Sequence, residues 1–164
     1  MDYLHKFLAA PFDFTSSYVL PFIIVLSVLV FIHEWGHYIV ARRCGVKVET
    51  FSIGFGPEIW GRTAASGARW KICWIPFGGY VQMFGDTDPA STQRASGVQE
   101  GDAVRPFTAD EKKVAFYTQP VGRRSAIVIA GPAINFAFAV LVMFLLFTFE
   151  GEPYIPPVAA KVTA

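Results

Sequence analysis

The sequence predicts a mainly α membrane protein, with two transmembrane helices joined by a cytoplasmic loop that carries a small membrane-associated antiparallel β-sheet. Residues 19–41 and 125–149 form two apolar runs. At 1.5 Å per residue, each is long enough to cross the hydrocarbon core of a bilayer. Between them, residues 46–85 show the apolar–polar alternation of strands. The 164 residues are 53% hydrophobic, with a mean hydropathy of +0.40, which is more apolar than soluble domains usually are.

The charge distribution predicts the orientation of the chain. The net charge of +1 argues against a nucleic-acid-binding face. Twelve of the fourteen Lys and Arg lie from Arg42 to Arg124. The positive-inside rule therefore predicts a cytoplasmic loop at residues 42–124, with the segments 1–18 and 150–164 on the other side of the membrane. The two cysteines have no metal-ribbon spacing, which favours free thiols in a reducing compartment.

The first apolar run contains the motif His-Glu-x-x-His at residues 33–37. On a helix, His33 and His37 project from one face about one turn apart, so two imidazole nitrogens can take adjacent corners of a zinc tetrahedron. Glu34 follows the first histidine and can reach a zinc-bound water as a general base. The spacing therefore predicts a zinc metalloprotease site with Zn²⁺ as cofactor.

Two other interpretations of the histidines stay open. Helical His pairs are often solvated or satisfied in a core, but here three ionisable groups lie within a hydrocarbon span. Each costs about 2.5–3.5 kcal/mol on insertion scales, which favours a functional site. Haem ligation between the helices is the other alternative. Haem bound between the helices would need a second histidine ligand, and the second apolar run contains no histidine. It would also leave Glu34 as an unexplained buried charge.

The second apolar run carries Gly131, Pro132 and Asn135, which we interpret as helix-packing residues. Pro132 removes a backbone donor and is expected to kink the helix. Gly131 and Asn135 are four residues apart and share a face that another helix can approach. An interhelical hydrogen bond is the usual use of a buried Asn in a membrane bundle.

The loop between the runs has three strand candidates, within residues 46–59, 70–76 and 80–84. They form two or three short strands. Either the sheet has no special role, or its edge takes up an extended substrate segment by β-augmentation. We expect a flexible loop at residues 86–101 and a short surface helix at residues 110–119, with its lysines towards lipid headgroups.

These motifs together resemble the bacterial site-2 protease family, and within it the regulator of sigma-E protease branch. The segment His33–His37 resembles the metal motif of the family's first membrane helix. Residues 54–57 (Gly-Phe-Gly-Pro) and 76–81 resemble its membrane-associated β-hairpin and sheet. Residues 130–136 resemble the start of its second membrane helix. Four motifs in the family's order make the resemblance specific.

The resemblance implies a zinc endopeptidase of the bacterial inner membrane that cuts single-pass membrane proteins, such as anti-sigma factors or remnant signal peptides. His33 and His37 become zinc ligands and Glu34 the catalytic base. The candidate substrate-binding residues in the sheet are Gly54, Phe55, Gly56, Gly78, Gly79 and Tyr80.

The resemblance also implies parts that we do not find in this sequence. The family's third zinc ligand is an Asp on a later membrane helix, after one or two PDZ domains outside the cytoplasm. We expect residues 150–164 to lead into such a domain. Because catalytic zinc sites normally use three protein ligands, a second hypothesis is a catalytically incomplete membrane scaffold that binds substrates through its sheet.

Overall fold

The structure is a computed structural model, and it describes residues 15–86, 97–100 and 103–151. A π-helical turn at Thr15–Val19 leads into the first helix. The elements that follow in chain order are α1 (Leu20–Arg43), β1 (Val48–Thr63), β2 (Arg69–Met83), β3 (Val98–Glu100), β4 (Ala103–Arg105), α2 (Ala109–Val114), a 3₁₀ turn (Phe116–Thr118) and α3 (Val121–Phe149). Three predicted segments lie mostly outside the described residues: the loop at 86–101 and the segments 1–18 and 150–164.

Helix α1 has clear start and stop signals. Pro21 is the second residue of α1, directly after the π-helical turn, and its missing backbone N–H coincides with the change from π-helical to α-helical structure. The helix ends in a Schellman motif. Gly45 adopts a φ of +80°, and the Val46 N–H donates to the carbonyl of Ala41 at 3.0 Å. Val46 and Ala41 are both buried, so the same turn that ends the helix starts the hydrophobic core.

Helix α3 begins four residues before the apolar run that predicted it, directly after Pro120. The start of an apolar run shows where burial in lipid becomes favourable. A helix can begin earlier, where its backbone hydrogen bonds begin, so the start of the helix and the start of the apolar run need not coincide. The helix continues through Pro132 to Phe149. Two segments, Thr15–Arg43 and Val121–Phe149, are long and apolar enough to cross a membrane by length and composition.

The sheet consists of two long antiparallel strands, β1 and β2. The candidates at 70–76 and 80–84 belong to one strand, because β2 runs through Pro76, Gly78 and Gly79 without ending. Both strands bend back on themselves. As a result, residues 50–53 have neighbours on two sides. Residues 79–82 run antiparallel to them, whereas the register with residues 69–72 runs in the same direction. The small antiparallel sheet that the sequence predicts is confirmed.

The hydrophobic core lies where the end of α1, the start of α3 and one face of the sheet meet. Its centre is Phe51, which is completely buried. The Phe51 ring stacks on Trp70 with centroids 4.3 Å apart, and it meets Phe31 and Tyr38 edge to face at 5.9 and 5.7 Å. Ile127 brings α3 into the same cluster. Aromatic burial of this kind fixes the sheet against the half of α1 that carries the histidines.

The predicted surface helix at 110–119 forms as α2 followed by the 3₁₀ turn. A capping box begins it: the Thr108 hydroxyl accepts from the Glu111 N–H, and the Glu111 carboxylate accepts from the Thr108 N–H. Arg105 donates to both carboxylate oxygens of Glu111, at 2.9 and 2.8 Å. Cys44 and Cys73 are free, as the sequence predicts.

Candidate metal centre

The two histidines of the motif meet at one point of the interface between α1 and α3. Their Nε2 atoms lie 3.2 Å apart and their rings are nearly perpendicular, with an interplanar angle of 80°. Gly131 of α3 faces them. A Cβ added there would lie 2.7 Å from Cε1 of His37 and 2.8 Å from Nε2 of His33. The imidazoles therefore occupy the space that any side chain at Gly131 would need.

The helices come this close because small residues face each other. A Cβ on Gly36, inside the motif, would lie 2.6 Å from the carbonyl oxygen of Ala130. Backbone approach of this kind is typical of helix pairs in lipid, where small residues let the two axes come together. The predicted packing role of Gly131 thus has a second purpose, since the same close approach brings α3 against the histidines. Pro132, next to it, is exposed.

His37 is fixed by the backbone of α3. Its Nδ1 lies 2.7 Å from the carbonyl oxygen of Ile127. A carbonyl can only accept a hydrogen bond, so Nδ1 carries the proton and the neutral ring presents a bare Nε2. Metal-binding histidines are commonly held this way, with one nitrogen donating to the protein and the other left for the ion.

His33 has its own partner on α3. The Nδ2 atom of Asn135 lies 3.3 Å from Nδ1 of His33. The interhelical contact expected of Asn135 is therefore present, and it is made to a residue of the motif. The Oδ1 atom of the same amide is buried without a hydrogen-bond partner among the described residues.

Glu34 lies on the side of α1 that faces the sheet. A Cβ on Gly79 of β2 would lie 3.2 Å from the Cγ of Glu34 and 3.1 Å from Cγ1 of Val30. Between helix and strand is a cleft of about 320 Å³. The residues that line it are Leu26, Leu29, Val30, His33, Glu34, Gly78, Gly79 and Asn135. A carboxylate, an imidazole and a strand backbone therefore share one small space.

The predicted substrate-binding residues divide into two groups. Gly78 and Gly79 line the cleft. The other four do not reach it. Phe55 stacks on Tyr80 with centroids 6.1 Å apart, and the Lys71 ammonium lies 5.1 Å from the centre of the Tyr80 ring. Gly54 and Gly56 flank Phe55 with φ near +85°, a conformation that other residues rarely adopt. They lie at the bend of β1, and of the two strands only β2 contributes residues to the lining of the cleft.

The histidine pair fits zinc. Nitrogen ligands about 2.0–2.1 Å from a tetrahedral ion lie roughly 3.3–3.4 Å apart. The observed separation of 3.2 Å between the Nε2 atoms is close to that value. Within the residues that the structure describes, no His, Cys, Asp or Glu completes a cluster of three. The third ligand implied by the resemblance stays a prediction.

Two members of the site have weak or no sequence signals. The carbonyl of Ile127 belongs to the backbone, and its position depends on how α3 crosses α1. Gly36 could have been found, because a glycine within an apolar helix often marks a close helix contact. Asn135 was recognised as a packing residue, but the partner of its amide follows only from the crossing of the helices.

Comparison with known proteins identifies the family. The family model described as "Peptidase family M50" matches residues 21–163. The chain belongs to peptidase family M50. This is the family of the site-2 proteases, so the resemblance drawn from the motifs is confirmed.

Individual relatives agree with this assignment. A protein of Mesorhizobium japonicum named as a zinc metalloprotease is 46% identical over 146 residues, covering 89% of this chain and 38% of the relative. One of Agrobacterium fabrum with the same description is 44% identical, covering 91% and 38%. The regulator of sigma-E protease of Salmonella typhimurium is 42% identical, covering 87% and 28%. The chain thus spans less than two fifths of the length of these relatives.

Proposed function

We propose that this chain is the zinc-binding, catalytic N-terminal part of an intramembrane metalloendopeptidase of the site-2 protease type. The observation that carries the proposal is the pair of Nε2 atoms 3.2 Å apart, with Glu34 in the cleft beside them. Membership of family M50 and the names of the relatives support it. The predicted third ligand and PDZ domain would be supplied by parts of the protein outside this segment.

Different residues of the chain would bind the zinc ion and transfer the proton during hydrolysis. His33 and His37 would hold Zn²⁺ through Nε2. The ion would supply Lewis acidity and lower the pKa of a bound water to about 7. The Glu34 carboxylate would take a proton from the attacking water and later return it to the leaving amine. The carbonyl of Ile127 keeps His37 in the tautomer with a free Nε2.

We further propose that α1 and α3 cross the bacterial inner membrane, with the sheet on the cytoplasmic side and both ends of the segment in the periplasm. His37 and His33 lie five and nine residues before Arg42, which places them about 8–14 Å below the cytoplasmic end of the helix. The sheet accompanies α1 to this depth, because Gly79 contacts Val30. Its exposed apolar side chains, which include Ile59, Trp74 and Phe77, suit contact with lipid.

The substrates on this proposal are single-pass membrane proteins, such as anti-sigma factors or remnant signal peptides. A helical segment must unwind before a protease can cut it. An extended segment that pairs with a strand satisfies its backbone groups, even at membrane depth. Gly78 and Gly79 line the same cleft as Glu34, so a peptide beside this part of β2 would pass close to the proposed base.

The test compares Glu34→Gln with Glu49→Gln, a change of the same type at a partly exposed position of β1. Both variants are made in the complete protein and reconstituted in lipid vesicles with a single-pass model substrate. We expect Glu34→Gln to retain zinc and to lose at least about 100-fold in cleavage rate, because general-base contributions are of that order or larger. Glu49→Gln should cleave normally.

Two outcomes would contradict the proposal. Unchanged cleavage by Glu34→Gln would remove Glu34 from the mechanism. A wild-type protein that holds no zinc and cuts no substrate would favour the membrane scaffold instead, because a scaffold needs no metal.

A further inference from the structure

We propose that Asn135 is a positioning residue that sets the tautomer of His33, through an amide that can face Nδ1 with either its nitrogen or its oxygen. In the zinc form, its Oδ1 accepts a hydrogen bond from Nδ1–H of His33, which frees Nε2 for the ion. The inference rests on the proposed zinc site. It assigns to Asn135 a role in metal binding, whereas helix packing alone would require just a contact between α1 and α3.

The position of the proton on His37 determines the tautomer of His33. The carbonyl of Ile127 requires a proton on Nδ1 of His37, so Nε2 of the neutral ring is an acceptor. The 3.2 Å contact between the two Nε2 atoms is then a hydrogen bond only if His33 is the donor. In this arrangement, therefore, His33 carries its proton on Nε2 and its Nδ1 is an acceptor.

The Asn135 amide fits this tautomer of His33 in the orientation that the structure shows. Its Nδ2 lies 3.3 Å from Nδ1 of His33 and donates to it. The arrangement leaves Oδ1 buried and without a partner among the described residues. Buried acceptors in this condition are uncommon, and each one calls for a physical explanation. An amide has a donor on one side and an acceptor on the other, so the unused oxygen is the atom that the other tautomer of His33 needs.

Zinc requires that other tautomer. A zinc ligand offers a lone pair, so the proton on Nε2 of His33 must leave to solvent while one is taken up on Nδ1. The ring stays neutral and no net proton is released. Nδ1–H then faces Asn135, whose amide presents Oδ1. Hydrogen bonds of this kind commonly orient metal-ligating histidines. The bond would also give the buried Oδ1 of Asn135 the hydrogen-bond partner that it lacks.

Two variants separate this role from packing. Asn135→Leu has a similar size but neither donor nor acceptor. Asn135→Asp, in its carboxylate form, can accept from Nδ1–H but cannot donate to Nδ1. If Asn135 accepts a hydrogen bond from Nδ1–H of the zinc-binding tautomer of His33, Asp at this position should preserve zinc affinity and Leu should not. If the contact matters as a donor or for packing between helices, Asp should be no better than Leu.

The measurement is the zinc affinity of the complete protein in detergent micelles, by competition with a chromophoric chelator at constant pH. We expect Asn135→Leu to bind zinc about 10–100-fold more weakly than wild type, the range typical of lost partners of metal-bound histidines. Asn135→Asp should match wild type or exceed it. Phe136→Leu, an exposed change one residue further along α3, controls for altered insertion into the micelle and should have no effect.

Nitrogen-15 spectra of histidine-labelled protein provide a second readout. In the zinc form of wild type and of Asn135→Asp, Nδ1 of His33 should carry a proton that exchanges slowly with water. In Asn135→Leu that proton should exchange fast. Equal zinc affinity in wild type and Asn135→Leu would overturn the inference, and so would equal weakening in the Leu and Asp variants.

His33→Ala distinguishes this failure from that of the proposed function. If His33→Ala binds zinc as wild type does, the zinc site is elsewhere and both proposals fall. If His33→Ala loses zinc while Asn135→Leu does not, the site stands and only the role of Asn135 is wrong.

Discussion

The junction around the histidines and the outer rim of the molecule are held together in different ways. At the junction, α1, α3 and β2 touch through glycines, and an added Cβ at Gly36, Gly79 or Gly131 would overlap neighbouring atoms. On the rim, the contacts are ion pairs between exposed or partly exposed side chains. Arg69 donates to both oxygens of Glu58, with the closest pair at 2.6 Å, and Arg105 does the same for Glu111.

The difference determines how each region responds to change. The atoms that face these glycines belong to the backbone or to packed side chains, which include the two imidazoles at Gly131. An extra methyl group therefore forces the functional atoms to move. Charged side chains at the surface can rotate away into water, and exposed ion pairs contribute little to stability. Mutations of similar size should therefore have large effects at the junction and small effects on the rim.

The largest effect is expected for Gly131→Ala. The new methyl group would displace both imidazoles, so we expect zinc binding to be lost and the protein to be destabilised by about 1–3 kcal/mol through overpacking.

Gly122→Ala is the matched control on the same helix, because a Cβ there meets nothing within 4 Å. It should keep full zinc affinity and gain up to about 1 kcal/mol from the better helix propensity of Ala. Zinc competition and thermal unfolding in micelles measure both. Normal zinc binding by Gly131→Ala would mean that α3 does not approach the histidines this closely.

An intermediate effect is expected for Gly79→Ala. Its Cβ would lie 2.7 Å from the carbonyl oxygen of Ser52 and would press on Glu34. We expect the sheet to shift away from α1, with a loss of about 1–3 kcal/mol in stability and of cleavage activity, while zinc affinity changes less because the histidines face α3.

Gly61→Ala is the control for Gly79→Ala in the same sheet. A Cβ at Gly61 would meet the carboxylate end of Glu58, which can rotate. Unfolding and cleavage assays compare the two variants, and equal losses would remove the distinction between junction and rim.

The smallest effect is expected for the ion pair on the rim at α2. The hydrogen bonds from Arg105, together with the backbone N–H of Thr108, lower the pKa of the Glu111 carboxyl from 4.5 to about 2. Because the folded-state pKa is lowered, the stabilisation is complete above pH 4.5 and is lost as the pH falls through about 2.

A carboxyl NMR titration should give a midpoint near pH 2 for Glu111. The midpoint should move towards 4.5 in Arg105→Gln, with zinc affinity at pH 7 unchanged. A midpoint at the ordinary value in wild type, or a loss of zinc affinity in Arg105→Gln, would show that the rim is coupled to the junction.

The histidine motif illustrates what a sequence can show by itself. His33, Glu34 and His37 are close together along one helix, so their mutual positions follow from helix geometry and need no knowledge of the rest of the fold. The same holds for the two apolar helices, whose length and composition are local properties. The strands were visible as alternation, but the continuity of β2 through Pro76 and two glycines was not, because pairing with β1 overrides local breaking signals.

The sequence by itself therefore determined the family, the two apolar helices and the sheet, and it predicted the residues that we propose to hold zinc. Only the tertiary structure decided that the Ile127 carbonyl fixes His37, that Asn135 contacts His33, and that Gly79 lies beside Glu34. These contacts join residues 45 to 102 positions apart. Their geometry depends on how two helices and a strand pack, and packing is set by the summed shape of many side chains, which no local pattern contains.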